Sequence, residues 1–364
     1  MYKPQDLAIY IHWPFCKSKC PYCDFYKELA SNCDEEKLIN EYLEALKHYY
    51  KLLPEREIKS IFFGGGTPSL LKPQNIAKII DCICGHWKIK NNIEISLEAN
   101  PNSNHKNMFK DLKNAGINRL SLGVQALNEK DLKFLGRTHT LQEAHESLQE
   151  IVQIFSNHSA DLIYARPQQT QSEWQQELTE ICAYGLKHLS LYQLTIEENT
   201  VFARKNIKVL NDETAADLYT HTREYLAAKG YDLYEVSNFA QNGFESRHNL
   251  TYWQGGDYIG IGKSAQGRLT LDGNFFAVDY PFINEALSKA ERAEELIITG
   301  LRLTKGINKK TFQNIIGSPL QNYINIPHLA ELKQLKLLTE NSEYLSVTSQ
   351  GLLVLNTIIE QLCL

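Results

Sequence analysis

Short β-rich runs separated by longer helical patterns set the strongest limit on what this 364-residue chain can fold into. The runs are "LAIYIHW" (7–13), "IKSIFFGGG" (58–66), "NIEISLEAN" (92–100), "INRLSLGVQ" (117–125), "ADLIYARP" (160–167), "HLSLYQL" (188–194) and "YDLYEVSNF" (231–239), which predict six or seven strands. Between the first two, residues 35–53 place Leu38, Tyr42, Leu46, Tyr49 and Leu53 on one helical face, with Asp34 as N-cap. A second helix is predicted over 73–86. Repeated βα units imply a parallel sheet. Polar and glycine residues recur just past the strand ends, where barrel loops build their sites, so a partial or full TIM-type β/α barrel is expected in preference to a doubly wound sheet.

The pattern changes near residue 285. "ERAEELIITGLRLTKGINKKTF" is expected to be an amphipathic helix, and "LKQLKLLTENSEYLSVTSQGLLVLNTII" reads as helix, short hairpin, helix. The expected organisation is therefore a barrel domain over 1–284 and a small winged-helix-like α+β domain over 285–364, the latter without ligand residues.

Composition excludes several classes. Hydrophobic residues at 43% and charged residues at 22% belong to a globular chain. A net charge of -5 without a long Lys/Arg run argues against nucleic-acid partners. The longest apolar runs fall short of the roughly 20 residues that cross a bilayer. The N-terminus has no apolar core before a small-residue cleavage site, so a cytoplasmic, reducing location is expected, where cysteines serve as thiols or metal ligands.

Three of the eight cysteines crowd into "FCKSKCPYCDF": Cys16, Cys20 and Cys23, directly after the first predicted strand. Thiolates from one short loop can face a common point, which suits an iron-sulfur cluster or a zinc ion. Structural zinc is closed by four protein ligands, and no Cys or His pair follows at finger spacing. Three ligands on a four-iron cluster leave one iron open for a small molecule. Cys33, Cys82, Cys84, Cys182 and Cys363 lie on predicted helices or at the terminus and read as small buried hydrophobes.

With aromatic residues bracketing its last cysteine, this loop resembles that of the radical S-adenosylmethionine (radical SAM) superfamily. The resemblance implies a 4Fe-4S cluster on Cys16, Cys20 and Cys23, its open iron chelated by the amino and carboxylate groups of S-adenosylmethionine. "GGGTP" (64–68) corresponds to the superfamily's glycine motif for the methionine amino group. The cofactor contacts so implied are Tyr10, Tyr22, Phe25, Gly65, Gly66, Thr67, Glu98, Gln125, Arg137 and Asp161.

Within the superfamily, "IYIHWPFC", "FFGGGTPSLL", "SLEANP", "RLSLGVQALNEKDLKFLGRTHT" and "LSLYQLTIEENT" resemble the coproporphyrinogen dehydrogenase branch, the HemN/HemW family. That branch contains an oxygen-independent coproporphyrinogen III dehydrogenase and a heme chaperone. The dehydrogenase carries a further cysteine two positions after the third cluster cysteine, where this chain has Phe25, and a longer N-terminal extension than the 15 residues that precede Cys16. "HNLTYW" (248–253) matches the HNxxYW motif of the chaperones. The implied function is a heme chaperone that delivers heme to acceptor proteins such as respiratory enzymes at the membrane surface, with His248 as heme ligand. A homodimer and a reducing partner such as flavodoxin or ferredoxin are also implied. The alternative is oxidative decarboxylation of coproporphyrinogen III. The chain departs from the family pattern at Ala165 and Arg166, where glycine and leucine are usual, and at Gln266, where histidine is usual.

Overall fold

The structure, a computed structural model, describes residues 5–101 and 107–363. In chain order the strands are β1 (Asp6–Trp13), β2 (Phe15–Cys16), β3 (Glu28–Leu29), β4 (Glu57–Gly65), β5 (Lys88–Ala99), β6 (Arg119–Gln125), β7 (Asn157–Tyr164), β8 (His188–Gln193), β9 (Asp232–Glu235), β10 (Asn238–Ala240), β11 (Tyr258–Ile261), β12 (Gln266–Leu271), β13 (Asn274–Asp279) and β14 (Ile283–Leu287). Twelve of them form one sheet in the order β14-β13-β12-β11-β1-β4-β5-β6-β7-β8-β10-β9. From β11 through β1 to β8 every neighbouring pair is parallel. From β1 to β8 each new strand adds on the same side, the sequential winding of a β/α barrel, and β11 to β14 then extend the sheet beyond the other side of β1. The sheet ends in two edges, β14 and β9, and is therefore a partial barrel.

Helices cover one face of this sheet. The helix Glu35–Leu52 is capped by the Asp34 side chain, which accepts from the Lys37 amide, and buries Ile39, Tyr42, Leu46 and Tyr49. Those side chains join Leu7, Ile9 and Ile11 of β1, Ile61 and Phe63 of β4, Leu97 of β5, Leu120 and Leu122 of β6, and Leu162 of β7 in one core. Successive strand residues point to opposite faces. The face away from the helices therefore carries Tyr10 and His12, Ser60 and Phe62, Glu94, Ser96 and Glu98, Arg119 and Ser121, Ser159 and Asp161, and His188, Ser190 and Tyr192. This inner face is polar and aromatic.

Two expectations need correction. The run 231–239 is not one strand: β9 and β10 pair antiparallel across a two-residue turn at 236–237, and β10 also runs antiparallel to β8. A period of two is blind to so tight a reversal. The stretch 291–312 is not one helix either. The helix Lys289–Gly300 stops, Gly306 turns the chain at φ +78°, and β15 (Ile307–Asn308) precedes a second helix, Lys309–Ile316. The antiparallel strands β12 to β14 were not anticipated, although Asp272-Gly273, with φ of +49° and +82°, is a strong hairpin signal between β12 and β13.

The C-terminal segment continues with the helix Ile326–Gln334, β16 (Leu338–Glu340), β17 (Tyr344–Val347) and the helix Leu355–Leu362. Its strands pair antiparallel in the order β15-β17-β16 around a second core of Leu296, Ile297, Phe312, Leu345 and Ile358. Among the described residues no helix is long and apolar enough to cross a membrane.

A buried ion pair ties the antiparallel extension to the barrel. Arg56 Nη2 donates to Asp257 Oδ2 at 2.9 Å and to the Thr270 carbonyl at 2.7 Å, while Asp257 also accepts from the Thr270 amide and hydroxyl. Removing one partner strands the other charge away from water, so Asp257→Ala should lower stability by about 3–5 kcal/mol in urea unfolding. A loss under about 1 kcal/mol would show that the pair is solvated, as exposed pairs are.

Candidate functional site

The cysteine loop leaves the top of β1 and is closed by a two-residue parallel pairing of β2 with β3. The Cys23 amide donates to the Cys20 carbonyl at 3.3 Å, and Lys27 Nζ donates to the Cys23 carbonyl at 2.6 Å. These bonds fold the loop over the C-terminal ends of β4 to β7. Between loop and strand ends lies a cavity of about 430 Å³, lined by Cys16, Cys20, Cys23, Tyr22, Phe25, Gly65, Gly66, Thr67, Glu98, Gln125, Arg137 and Asp161. These are all but two of the site residues expected from the sequence.

The glycines at this strand end are dictated by contact. A Cβ on Gly65, where φ is +106°, would stand 2.6 Å from the His12 ring, and one on Gly66 would stand 2.7 Å from the Phe15 carbonyl oxygen. Only glycine lets β4 pass this close to the cysteine loop. Thr67 donates its hydroxyl to Cys16 Sγ at 3.6 Å and accepts from Asn100 Nδ2 at 3.2 Å. Burial raises the Cys16 thiol pKa, and the Thr67 hydrogen bond opposes that rise.

Arg137 reaches across the cavity. Its Nη1 lies 3.5 Å from both Cys20 Sγ and the Tyr22 hydroxyl, its Nη2 donates to Asn100 Oδ1 and, at 2.8 Å, to the Gly123 carbonyl, and its Nε is buried without a partner. Asn100, overlooked in the sequence, thus joins Arg137 to Thr67. Opposite, Glu98 accepts from the Gly65 amide at 3.3 Å, and Asp161 accepts from the Ser121 hydroxyl at 2.9 Å. Burial, with the nearby Asp161 carboxylate, pushes the Glu98 carboxyl up to about 8. Gln125 sits at φ +73°, which breaks the register of β6 with β7 beside the cavity.

The thiols, the glycine edge and the unpartnered guanidinium nitrogen suit a polar cofactor bound beside a cluster. Among the described residues no three His, Cys, Asp or Glu side chains are grouped to hold a single metal ion. A four-iron cluster makes a different demand, because each thiolate binds its own iron.

Tyr10 and His248 do not line this cavity. Tyr10 is on the inner face of β1, its hydroxyl 2.9 Å from His12 Nδ1, so it stands behind the ring that underlies Gly65. His248 lies on the short helix Arg247–Trp253, capped by Ser246, and is 4% exposed. Glu94 anchors that helix by accepting from the backbone amides of Arg247 at 3.0 Å and His248 at 3.1 Å. His248 Nδ1 is 3.1 Å from Ser60 Oγ, and its ring stacks on Phe62 with centroids 5.0 Å apart. Tyr10 and Tyr252 complete the surround at 6.3 and 6.4 Å. Burial pushes the imidazole pKa down to about 3. It is a neutral ring in an aromatic setting.

The departures from the family pattern lie off the cavity. Arg166 is buried against Glu177 and Asp131, Ala165 takes a left-handed φ of +56°, and Gln266 is exposed on β12 opposite Asp279.

Comparison with known proteins places these features in context. The Radical SAM superfamily matches residues 10–181, and the HemN C-terminal domain matches residues 287–354. "Heme chaperone HemW" of Buchnera aphidicola subsp. Schizaphis graminum is 34% identical over 374 residues, covering 99% of both chains. "Heme chaperone HemW" of Escherichia coli is 33% identical over 375 residues, again covering 99% of both. "Radical S-adenosyl methionine domain-containing protein 1, mitochondrial" of Danio rerio is 32% identical and covers 99% of this chain and 87% of its own length. Among solved structures, coproporphyrinogen III oxidase (HemN) from Escherichia coli superposes with a TM-score of 0.82 at 20% identity, covering 98% of this chain and 90% of that one. That likeness shows the radical SAM fold.

Glu98 offers a pH test of the cavity. Between the ordinary carboxyl range and about pH 8 the folded protein keeps a proton that the unfolded chain has released, so stability should fall as pH rises through that window. Glu98→Gln should flatten this fall in urea unfolding between pH 5 and 8. An unchanged slope would mean that the Glu98 carboxylate ionises as in water.

Proposed function

Because the chain belongs to the HemW family of radical S-adenosylmethionine proteins, we propose that it binds heme and passes it to acceptor proteins. The setting of His248 carries this reading. Iron takes a neutral imidazole, and burial keeps His248 neutral throughout the physiological range. The ligating tautomer is the one in which Nδ1–H donates to Ser60 Oγ, which leaves the Nε2 lone pair for iron. Among the described residues no hydrogen bond involves Nε2. Phe62, Tyr10 and Tyr252 supply aromatic surfaces of the kind that pack on a flat macrocycle.

The upper cavity would hold the family's cofactors. A 4Fe-4S cluster with S-adenosylmethionine at its open iron supplies one-electron chemistry when bound. Cys16, Cys20 and Cys23 would be its thiolate ligands, with the Thr67 hydroxyl and the Arg137 guanidinium beside Cys16 and Cys20 respectively. Gly65 and Gly66 would offer backbone groups to the amino end of the cofactor. Glu98, Gln125 and Asp161 would take its polar atoms, and Tyr22 and Phe25 would flank it. Tyr10 would act through His12, as a positioning residue for the glycine edge.

The same proposal extends to a cytoplasmic site of action, respiratory enzymes at the membrane surface as acceptors, flavodoxin or ferredoxin as reductant, and dimerisation during transfer. It also divides the chain into a cluster-bearing domain over 1–284 and a C-terminal domain over 285–364. The separate core of the C-terminal segment supports that division.

An anaerobic heme titration on cluster-reconstituted protein tests the reading. Wild type should give a stoichiometric Soret shift, and His248→Ala should weaken binding by at least ~10-fold, the loss of an axial ligand. Absent binding, or equal binding by both proteins, would overturn the role of His248. Anaerobic conversion of coproporphyrinogen III by the purified protein would then support the dehydrogenase alternative.

A further inference from the structure

The polar groups on the inner face of the sheet are nearly all matched. His188 is held at both ring nitrogens, by Ser159 Oγ at 2.7 Å and by the Tyr234 hydroxyl at 2.8 Å. Glu94 accepts from Ser96 and from two backbone amides, Asp161 accepts from Ser121, and Tyr10 is bonded to His12.

Arg119 is the exception. It opens β6, in register with Ser96 of β5 on one side and Asn157 of β7 on the other, and is 2% exposed. Its Nε has no hydrogen-bond partner, and no carboxylate stands within ion-pair distance of its guanidinium among the described residues. Asn157 Oδ1, its cross-strand neighbour, is also unpartnered, and an amide can turn to present either its oxygen or its NH2. The Glu98 and Asp161 carboxyls feel the Arg119 charge from farther along the same face, but neither bonds to it directly. That positive charge also acts on His248, helping to keep that imidazole neutral, so the two groups share the lower end of the barrel.

Tyr192 shows that the upper part of this interior is open. It occupies an inward position on β8 yet exposes 43% of its surface, and it lines the cavity above. Below that cavity the barrel interior carries one neutral imidazole, flanked by Phe62 and Tyr10, and one guanidinium without a direct ion-pair partner among the described residues.

We propose that Arg119 is the binding residue for a carboxylate carried by the ligand of His248, namely a propionate of the tetrapyrrole. The inference rests on the heme reading of His248 and adds to it a selection for the acidic side chains of the macrocycle. A guanidinium and a carboxylate form charge-assisted, often bidentate hydrogen bonds, roughly twice as strong as neutral ones. In a buried setting this interaction is weakened little by salt. The fit gives Arg119 a direct partner that the other groups of this face do not supply, a carboxylate that arrives with the ligand.

Titrating the anaerobic, cluster-reconstituted protein with heme and with heme dimethyl ester, which lacks both carboxylates, tests this. Wild type should bind heme at least ~10-fold tighter than the diester, the scale of one hydrogen bond to a charged group. Arg119→Met should bind heme as weakly as it binds the diester while keeping the Soret signature of imidazole ligation, and Arg119→Lys should recover part of the preference. Equal affinity of wild type for heme and diester would overturn the proposal, as would an undiminished preference in Arg119→Met. The wild-type comparison needs no variant, so misfolding of Arg119→Met leaves the test intact. If wild type gave no Soret shift with either compound, the heme reading itself would fall and the proposal with it, an outcome distinct from a Soret shift without preference.

Discussion

A parallel sheet with polar side chains on its inner face must satisfy each of them away from bulk water, and much of this structure follows from that demand. Parallel sheets are commonly apolar on both faces because helices or other layers cover both. Here the helices cover one face, and the other carries serines, histidines, carboxylates and an arginine. An unpaired buried polar group costs on the order of 1–3 kcal/mol, so the inner face selects what can pack against it. The chain Ser159, His188, Tyr234 and the Ser246 amide is one solution, and it runs from β7 to the start of the helix that holds His248. Glu94 is another: its carboxylate takes the first amides of that same helix. The polar face, more than the local sequence of "HNLTYW", sets where His248 sits.

The upper end of the barrel obeys a different rule, that of close approach. The cysteine loop, the β4 edge and the β5 and β6 loops meet over one cavity because Gly65 and Gly66 have no side chains to hold them apart. A chain of hydrogen bonds from Gly123 through Arg137, Asn100 and Thr67 to Cys16 then fixes five separate segments against one another.

This division explains what could be read from the sequence. The cysteine spacing and "GGGTP" are local patterns, and the βα alternation is a periodicity, so the barrel and most of the cavity wall were visible without coordinates. The depth of His248 was not. Its partners Ser60 and Glu94 are 188 and 154 residues away along the chain, and no local pattern encodes such a pairing. Arg119 and Glu94 were passed over for a related reason. Periodicity identifies a strand, yet it does not say which of two dry faces looks into the barrel. The missed hairpin of β12 and β13 is of another kind, since Asp272-Gly273 was legible and went unread.

Arg166 shows how an unusual residue near a site can act at a distance from it. An arginine in place of the usual leucine suggests a new charge in the cofactor pocket, but the side chain turns away and is 1% exposed. It is bonded to Glu177, lies 3.1 Å from Asp131 and donates to the Ile163 carbonyl at 2.8 Å. Glu177 in turn accepts from the Leu127 amide at 3.1 Å and from Asn128 Nδ2 at 3.3 Å. Buried ion pairs gain little net stability, because desolvation offsets most of the attraction. What this network supplies is specificity of position: it binds the loop after β7 to the segment that follows Gln125 and to the helix Glu129–Phe134, which leads to Arg137. A leucine would fill the same space by packing alone, without direction. The arginine fixes the relative placement of two cavity loops through bonds made behind them, and so supports the cavity without entering its lining.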